Sequence, residues 1–254
     1  MYKIPARTEI IGKKLVFVPE CHSTNLLVAQ KVGLGQMVHG QVVIAHYQSA
    51  GKGQRGSVWE AQPGKNLTFS IFLKTNSLPL QKAFYLNIIS ALAIVDMLKE
   101  FLNIQAQVKW PNDILVKEKK LGGILVENTI QGKRFSHSIV GIGLNINQEQ
   151  FQFPEAISLH LMNPLKIYDL ETLLHELLYF FEKRYQQLQR DQFPGLKKDY
   201  LDNLMGFLQQ KKYMEEGRKF LGTIIDLTED GKIVVEEEGG TKTYSNKEIA
   251  WEST

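Results

Sequence analysis

From Gln48 to Trp59 the chain reads Gln-Ser-Ala-Gly-Lys-Gly-Gln-Arg-Gly-Ser-Val-Trp, placing three glycines and two cations after the apolar run Val42–Ala45. A glycine-rich backbone can turn its N–H groups toward an anion, and Lys52 and Arg55 add positive charge. Gly51, Gly53 and Gly56 also fit G-x-G-x-x-G, the dinucleotide fingerprint. That fingerprint requires a strand before it, a helix after it, and an acidic residue about 20 positions on. The strand is present, but Pro63-Gly64 and a second apolar run, Leu67–Leu73, stand where the helix should be. No carboxylate lies between Leu73 and Leu78. The dinucleotide reading is rejected, and a mobile glycine loop between two strands, suited to an anionic ligand, remains.

Other blocks carry chemistry of the same kind. In Lys109-Trp110-Pro111-Asn112-Asp113 the proline cannot donate to a ladder, so the strand breaks there and Asn112 and Asp113 lie in reach of whatever Lys109 contacts. Lys120 opens Leu121–Glu127, where Gly122-Gly123 reads either as a bulge or as close approach of a ligand to backbone. Gly141 and Gly143 leave room in a later strand that ends near Asn145. Upstream, Ser23-Thr24-Asn25 precedes Leu26–Ala29 as a hydroxyl-capped helix start, with Thr24 or Asn25 as the cap. Gln48, a buried amide at the mouth of the loop, can donate and accept at once.

In this order the blocks resemble the biotin protein ligases, strongly over about residues 15–150 and more weakly on to Thr254. The resemblance implies an α+β fold: a mixed, largely antiparallel sheet with flanking helices, as in class II aminoacyl-tRNA synthetases, over residues 1–204, and a small SH3-like β-barrel over 205–254. It implies two steps. The biotin carboxylate attacks the α-phosphate of ATP and releases pyrophosphate; a lysine of a biotin carboxyl carrier protein then attacks the adenylate. Ser23, Thr24, Asn25, Gln48, Gly51, Lys52, Gly53, Gln54, Lys109 and Gly123 are expected around biotin. Arg55, Trp59, Lys109, Asn112, Lys120 and Asn145 are expected around ATP. Both first-step partners are anions, so Lys109, Lys52 and Lys120 are the groups that let them meet. Mg²⁺ is expected on the pyrophosphate side with Asp113 as the one helper carboxylate, and no protein metal site is assigned. Many relatives carry an arginine where this chain has Gln54, and Arg55 is expected to take over part of its role.

Lipoate-protein ligases share that fold and chemistry, but the whole glycine loop together with Lys-Trp-Pro-Asn-Asp favours biotin. A biotin-sensing repressor needs a helix-turn-helix module, and only about 14 residues precede Leu15. A non-catalytic biotin-binding module leaves Lys109 and Lys120 without a purpose.

The remaining elements position these groups. Leu15–Val18 reads as a strand, and Leu67–Leu73 alternates as a half-buried one. Leu80–Leu102 reads as one amphipathic helix beginning at Pro79, and its charges exclude a membrane span. Gln107–Trp110, Ile114–Lys117, Leu121–Glu127 and Phe135–Ile146 follow as strands, and Tyr168–Arg190 is a periodic helix on which His175 sits at the edge. Past Gly206 come short β runs at Phe220–Asp226, Lys232–Glu237 and Lys242–Tyr244.

With 254 residues, 43% hydrophobic and 22% charged, the chain has the makings of a soluble protein with a full core. A net charge of +3, with seven basic against ten acidic residues from Met205 onward, argues against nucleic acid. A single cysteine, Cys21, and no leader-like N-terminus point to the cytoplasm, and Cys21-His22 is discounted as a catalytic pair because neighbours in sequence usually point apart. A homodimer is neither required nor excluded.

Overall fold

The computed structural model describes residues 2–251, with Arg55 described by its backbone alone. Seven strands form the main sheet: β1 (Leu15–Cys21), β2 (Val42–Gln48), β3 (Leu67–Lys74), β4 (Gln107–Lys109), β5 (Asp113–Val116), β6 (Lys119–Gln131) and β7 (Arg134–Leu144). Their spatial order is β1-β2-β3-β7-β6-β5-β4. β1 and β2 run parallel, with Leu15 opposite Val42, and the remaining neighbours are antiparallel, with Phe69 opposite Ile142 and Gly123 opposite Gly143.

β3 corrects the half-buried reading. Every residue from Leu67 to Leu73 is buried, because the strand is interior and covered on both faces. Phe69 and Ile71 enter the main core, while Phe72 joins Val28, Val43 and Ile139 in a smaller cluster beneath α1 (Thr24–Gly33). Thr68 and Ser70 share the α1 side, and Thr68 Oγ1 donates to Ala45 O at 3.1 Å. A buried hydroxyl is tolerable once it is hydrogen-bonded, so the apparent alternation came from paired hydroxyls, not from solvent.

The long amphipathic helix is also corrected. Leu80–Lys82 forms a 3-10 turn with Pro79 as its N-cap, α2 spans Tyr85–Asp96, and a π-helical turn covers Met97–Phe101. Ten of the twelve α2 residues are buried, since α4 (Leu170–Gln189) and α5 (Phe193–Asp202) close over it from behind. The short α3 spans Leu159–Met162. His175 on α4 is half-buried, its Nε2 2.8 Å from Lys3 O, which fits its edge reading.

A second, antiparallel sheet has the order β11-β10-β9-β8-β12, from β8 (Gln210–Glu215), β9 (Arg218–Leu227), β10 (Ile233–Glu237), β11 (Gly240–Tyr244) and β12 (Ala250–Trp251). β8 and β12 lay outside the expected runs: β8 buries one residue, Tyr213, and β12 has two residues. The sheets meet closely. Val108 N donates to Asn203 O and Met205 N to Val108 O, both at 2.8 Å. Trp110 Nε1 donates to Gly231 O at 2.9 Å. Gly231 has a φ of +88°, and a Cβ there would lie 2.2 Å from the Phe84 ring, so that turn requires glycine. Among the described residues no helix is long and apolar enough to cross a membrane.

Candidate functional site

The α1 side of the main sheet carries an unusual gap. Residues facing α1 along β7 are Ile139, then Gly141, then Gly143, so the apolar cover stops and two positions lack side chains. A Cβ on Gly141 would lie 2.5 Å from Asn25 Oδ1, and one on Gly143 would lie 2.4 Å from Trp59 Cε2. Missing side chains therefore seat an asparagine and an indole against the strand. Above this floor lies a cavity of about 300 Å³, at the small end of the range for small-molecule sites.

One wall is the start of α1. No side chain of α1's own first turn caps it. Instead Gln48 Oε1 accepts from Thr24 N at 2.7 Å and lies 3.1 Å from Thr24 Oγ1. This corrects the reading of Thr24 or Asn25 as the cap, and it commits the acceptor half of Gln48. Ser70 Oγ sits 2.7 Å from Thr24 Oγ1 and 2.6 Å from Asn25 Oδ1. Asn25 Nδ2 donates to Glu127 Oε2 at 2.7 Å. Thr24 and Asn25 thus clamp the helix to the sheet. Ser23 Oγ and Gln48 Nε2 have no hydrogen bond among the described residues, and both residues line the cavity.

The glycine segment forms the second wall, and it is a closed turn. Lys52 bridges Val58, Gly53 N donates to Ser57 O at 2.7 Å, and Trp59 N donates to Gly51 O at 2.9 Å. A Cβ on Gly51 would lie 2.6 Å from Trp59 O and 3.1 Å from Gln48 Nε2, so Gly51 acts beneath the wall and does not line the cavity. Gln54, in a 3-10 turn, accepts at Oε1 from Asn246 Nδ2 at 2.8 Å. The Arg55 side chain falls outside the described residues. The indole of Trp59 lies on Gly143, and its buried Nε1 has no partner among the described residues, a donor that calls for an acceptor.

Charge gathers on the third wall. Lys120 Nζ pairs with Asp113 Oδ1 at 2.7 Å and sits 5.9 Å from the centroid of the Trp59 ring. Asn112 Nδ2 donates to Ile124 O at 2.8 Å. Lys52, Gly53, Gln54, Asn112, Asp113, Lys120 and Gly123 all line the cavity. Lys109 does not: it is half-buried and lines an adjoining cavity with Trp110, Asn246 and Lys247, although it stands opposite Asp113 in the β4–β5 register. Asn145, expected near ATP, is buried and does not line the cavity; its Nδ2 donates to Ile157 O at 3.1 Å and its Oδ1 has no partner among the described residues. His22 Nδ1 lies 3.0 Å from Ser49 Oγ, while burial, with Glu20 adding to it, pushes the Cys21 thiol up. That is the reverse of what a nucleophilic thiolate needs.

Ser70, Glu127, Asn246 and Lys247 are not among the expected site residues. Serine facing α1 opposite two candidate residues was the available signal for Ser70, but it required the strand face to be known.

Replacing Gly143 by alanine is expected to destabilise the protein by about 1–3 kcal/mol, as overpacking against a seated ring does. The double variant Gly143→Ala/Trp59→Ala should regain most of the loss that Gly143→Ala adds. Urea unfolding of the four proteins measures that coupling; simple additivity would mean that the glycine does not serve the indole.

The biotin/lipoate A/B protein ligase family model matches residues 18–145, which contain every wall described above except Asn246 and Lys247. Over 245 residues the chain is 32% identical to the bifunctional ligase/repressor BirA of Bacillus subtilis, covering 94% of this chain and 74% of that protein. It is 27% identical over 253 residues to a biotin–[acetyl-CoA-carboxylase] ligase of Mycobacterium tuberculosis, covering 96% and 92%. Among solved structures it resembles the Aquifex aeolicus biotin protein ligase in complex with biotin and ATP, with a TM-score of 0.78, 24% identity and coverage of 95% and 100%. The sheet, its two empty glycine positions and the matched sequence agree: this chain belongs to the biotin/lipoate A/B protein ligase family.

Proposed function

We propose that the chain activates biotin with ATP as biotinyl-5'-adenylate and transfers the biotinyl group to a lysine of a biotin carboxyl carrier protein. The observation that carries this reading is the make-up of the cavity lining. Neutral groups with unused hydrogen-bonding capacity, Ser23 Oγ and Gln48 Nε2, line it together with two lysines, Lys52 and Lys120. A ureido ring suits the neutral groups, and a carboxylate meeting a triphosphate suits the lysines.

Ser23 and Gln48 hold the ureido group, with Gln48 acting as donor because its oxygen is committed to α1. Lys52 and Lys120 raise the potential where the two anions meet. Lys109 reaches in from the adjoining cavity and bridges the biotin carboxylate and the α-phosphate. A carboxylate oxygen bonds to the α-phosphorus as the bond to the bridging oxygen of pyrophosphate breaks, and charge moves onto pyrophosphate. In the second step the acceptor lysine's neutral amine attacks the acyl carbon and AMP departs with the bonding pair. Placing the partners in line removes much of the entropic part of the barrier. Trp59 Nε1 offers its proton to the nucleotide, and Asn112 and Asn145 support the same side.

Magnesium fits as an ion carried by the nucleotide. Asp113 is the one carboxylate lining the cavity, and no cluster of three metal-ligating side chains occurs among the described residues. Bound to the triphosphate, the ion would shield its charge, keeping water on most of its coordination positions. We divide the chain into a catalytic part, 1–204, and a C-terminal part, 205–254, whose antiparallel sheet we read as an SH3-like barrel.

Exchange of labelled pyrophosphate into ATP tests the function. Biotin should raise the rate strongly and lipoate should not. A rate indifferent to biotin overturns the reading, and stimulation by lipoate alone moves the substrate to the other branch of the family.

A further inference from the structure

The turn between β11 and β12 has no part in the reaction as described, yet it forms a wall of the site. Asn246 and Lys247 line the main cavity together with Lys52 and Lys120, and they also line the adjoining cavity that holds Lys109. The turn therefore stands between the two groups of lysines. It is built to stay there. Glu248 N donates to Ser245 O at 3.1 Å, Ser245 N donates to a Glu248 carboxylate oxygen at 2.7 Å, and Asn246 donates to Gln54. Lys247 has a φ of +76°, in the left-handed region that lysine enters against its steric preference. It is exposed and has no ion-pair partner among the described residues. A strained backbone that presents an unpaired cation to a cavity is a reason to look for an anion.

We propose that this turn is a working part of the nucleotide site. Asn246 latches the glycine segment through Gln54, and Lys247 supplies positive charge to the phosphates of ATP that Gln54, an uncharged amide, cannot. The proposal rests on the ATP-dependent reading above and adds the residue that completes its charge. Amide-to-amide contact is neutral and depends on shape, so the latch fixes where Lys247 stands, while the ammonium supplies the attraction. The C-terminal sheet thereby enters nucleotide recognition directly, from 192 residues away in sequence.

The test uses the full chain and two readouts: equilibrium binding of labelled ATP with magnesium, and pyrophosphate exchange. Lys247→Ala should weaken ATP binding by about tenfold, the size of a lost charge-assisted contact. Biotin binding should change less than about twofold, and the difference between parent and variant should shrink as salt rises. Lys247→Arg should stay near the parent, and Gln54→Arg should restore ATP binding in the Lys247→Ala background. For the latch, Asn246→Ala should speed tryptic cleavage at Lys52. ATP affinity within twofold of the parent in Lys247→Ala, or a loss that salt does not touch, overturns the charge role, as does a parent that binds no ATP. Unchanged cleavage in Asn246→Ala overturns the latch. A parent that binds ATP but shows no biotin-dependent exchange would sink the ligase reading alone, and the binding series would still decide this one.

Discussion

Lys109→Ala is expected to slow adenylate formation by about 10²–10³-fold, the usual cost of removing a group that meets charge as it develops. The fold should survive, because the side chain is half-buried and has no ion pair among the described residues. Two features place it for the task. It stands opposite Asp113 in the sheet, next to the Asp113–Lys120 pair, and it lines the adjoining cavity, which shares Asn246 and Lys247 with the main one. Asp113 already offsets Lys120, so Lys109 is a cation whose charge is not committed elsewhere. Single-turnover formation of the adenylate should fall more than biotin affinity does. Lys109→Arg should recover only part of the rate, since a planar fork does not replace a point charge. A change below about threefold, far from the loss expected of such a donor, would pass the role to Lys52 or Lys120.

The largest stability effect is expected at a residue remote from the site. Glu182 on α4 is 4% exposed and its carboxylate accepts from three consecutive backbone N–H groups, those of Glu9, Ile10 and Ile11, at 2.9–3.3 Å. An ionised carboxylate is all acceptor, which is what three converging donors require. Glu182→Ala would leave those donors without a partner. Ile11 is buried while Glu9 and Ile10 are exposed residues, so at about 1–3 kcal/mol for a buried group and less for the others the loss should be about 2–4 kcal/mol, or roughly 10 °C in Tm. Glu182→Gln keeps one acceptor oxygen but turns an NH₂ toward a donor, so it should fall between. Thermal and urea unfolding measure both; a loss under about 1 kcal/mol would mean that water replaces the carboxylate without penalty.

The residues legible in the sequence are those whose identity is imposed by backbone geometry or local charge. Gly51, Gly53 and Gly141 announce positions where a side chain would collide, and Lys52, Asn112, Asp113 and Lys120 follow from their spacing to such breaks. What was hidden depends on register. Ser70 looks like solvent-facing alternation until β3 is known to be interior, and then it becomes the link between Thr24 and Asn25. The breadth of α2's burial could not be read from its own pattern, since it depends on α4 and α5 closing behind it. Gln54 read as a missing charge, while its partner Asn246 sits in a turn whose sequence, Ser-Asn-Lys-Glu, looks like any polar loop.

The bonds between Val108 and the Asn203–Met205 segment have a consequence for how the chain can be cut. β4 is the last strand of the main sheet, and its outer edge is covered by the stretch of chain that leads into the second sheet. An uncovered strand edge is a template for pairing with another molecule. A version ending near residue 204 would lose the Met205 half of that cover and the carbonyl that receives the Trp110 indole. Such a fragment is expected to be sticky at the β4 edge, and the segment that leads into the second sheet doubles as the cover of the strand that carries Lys109.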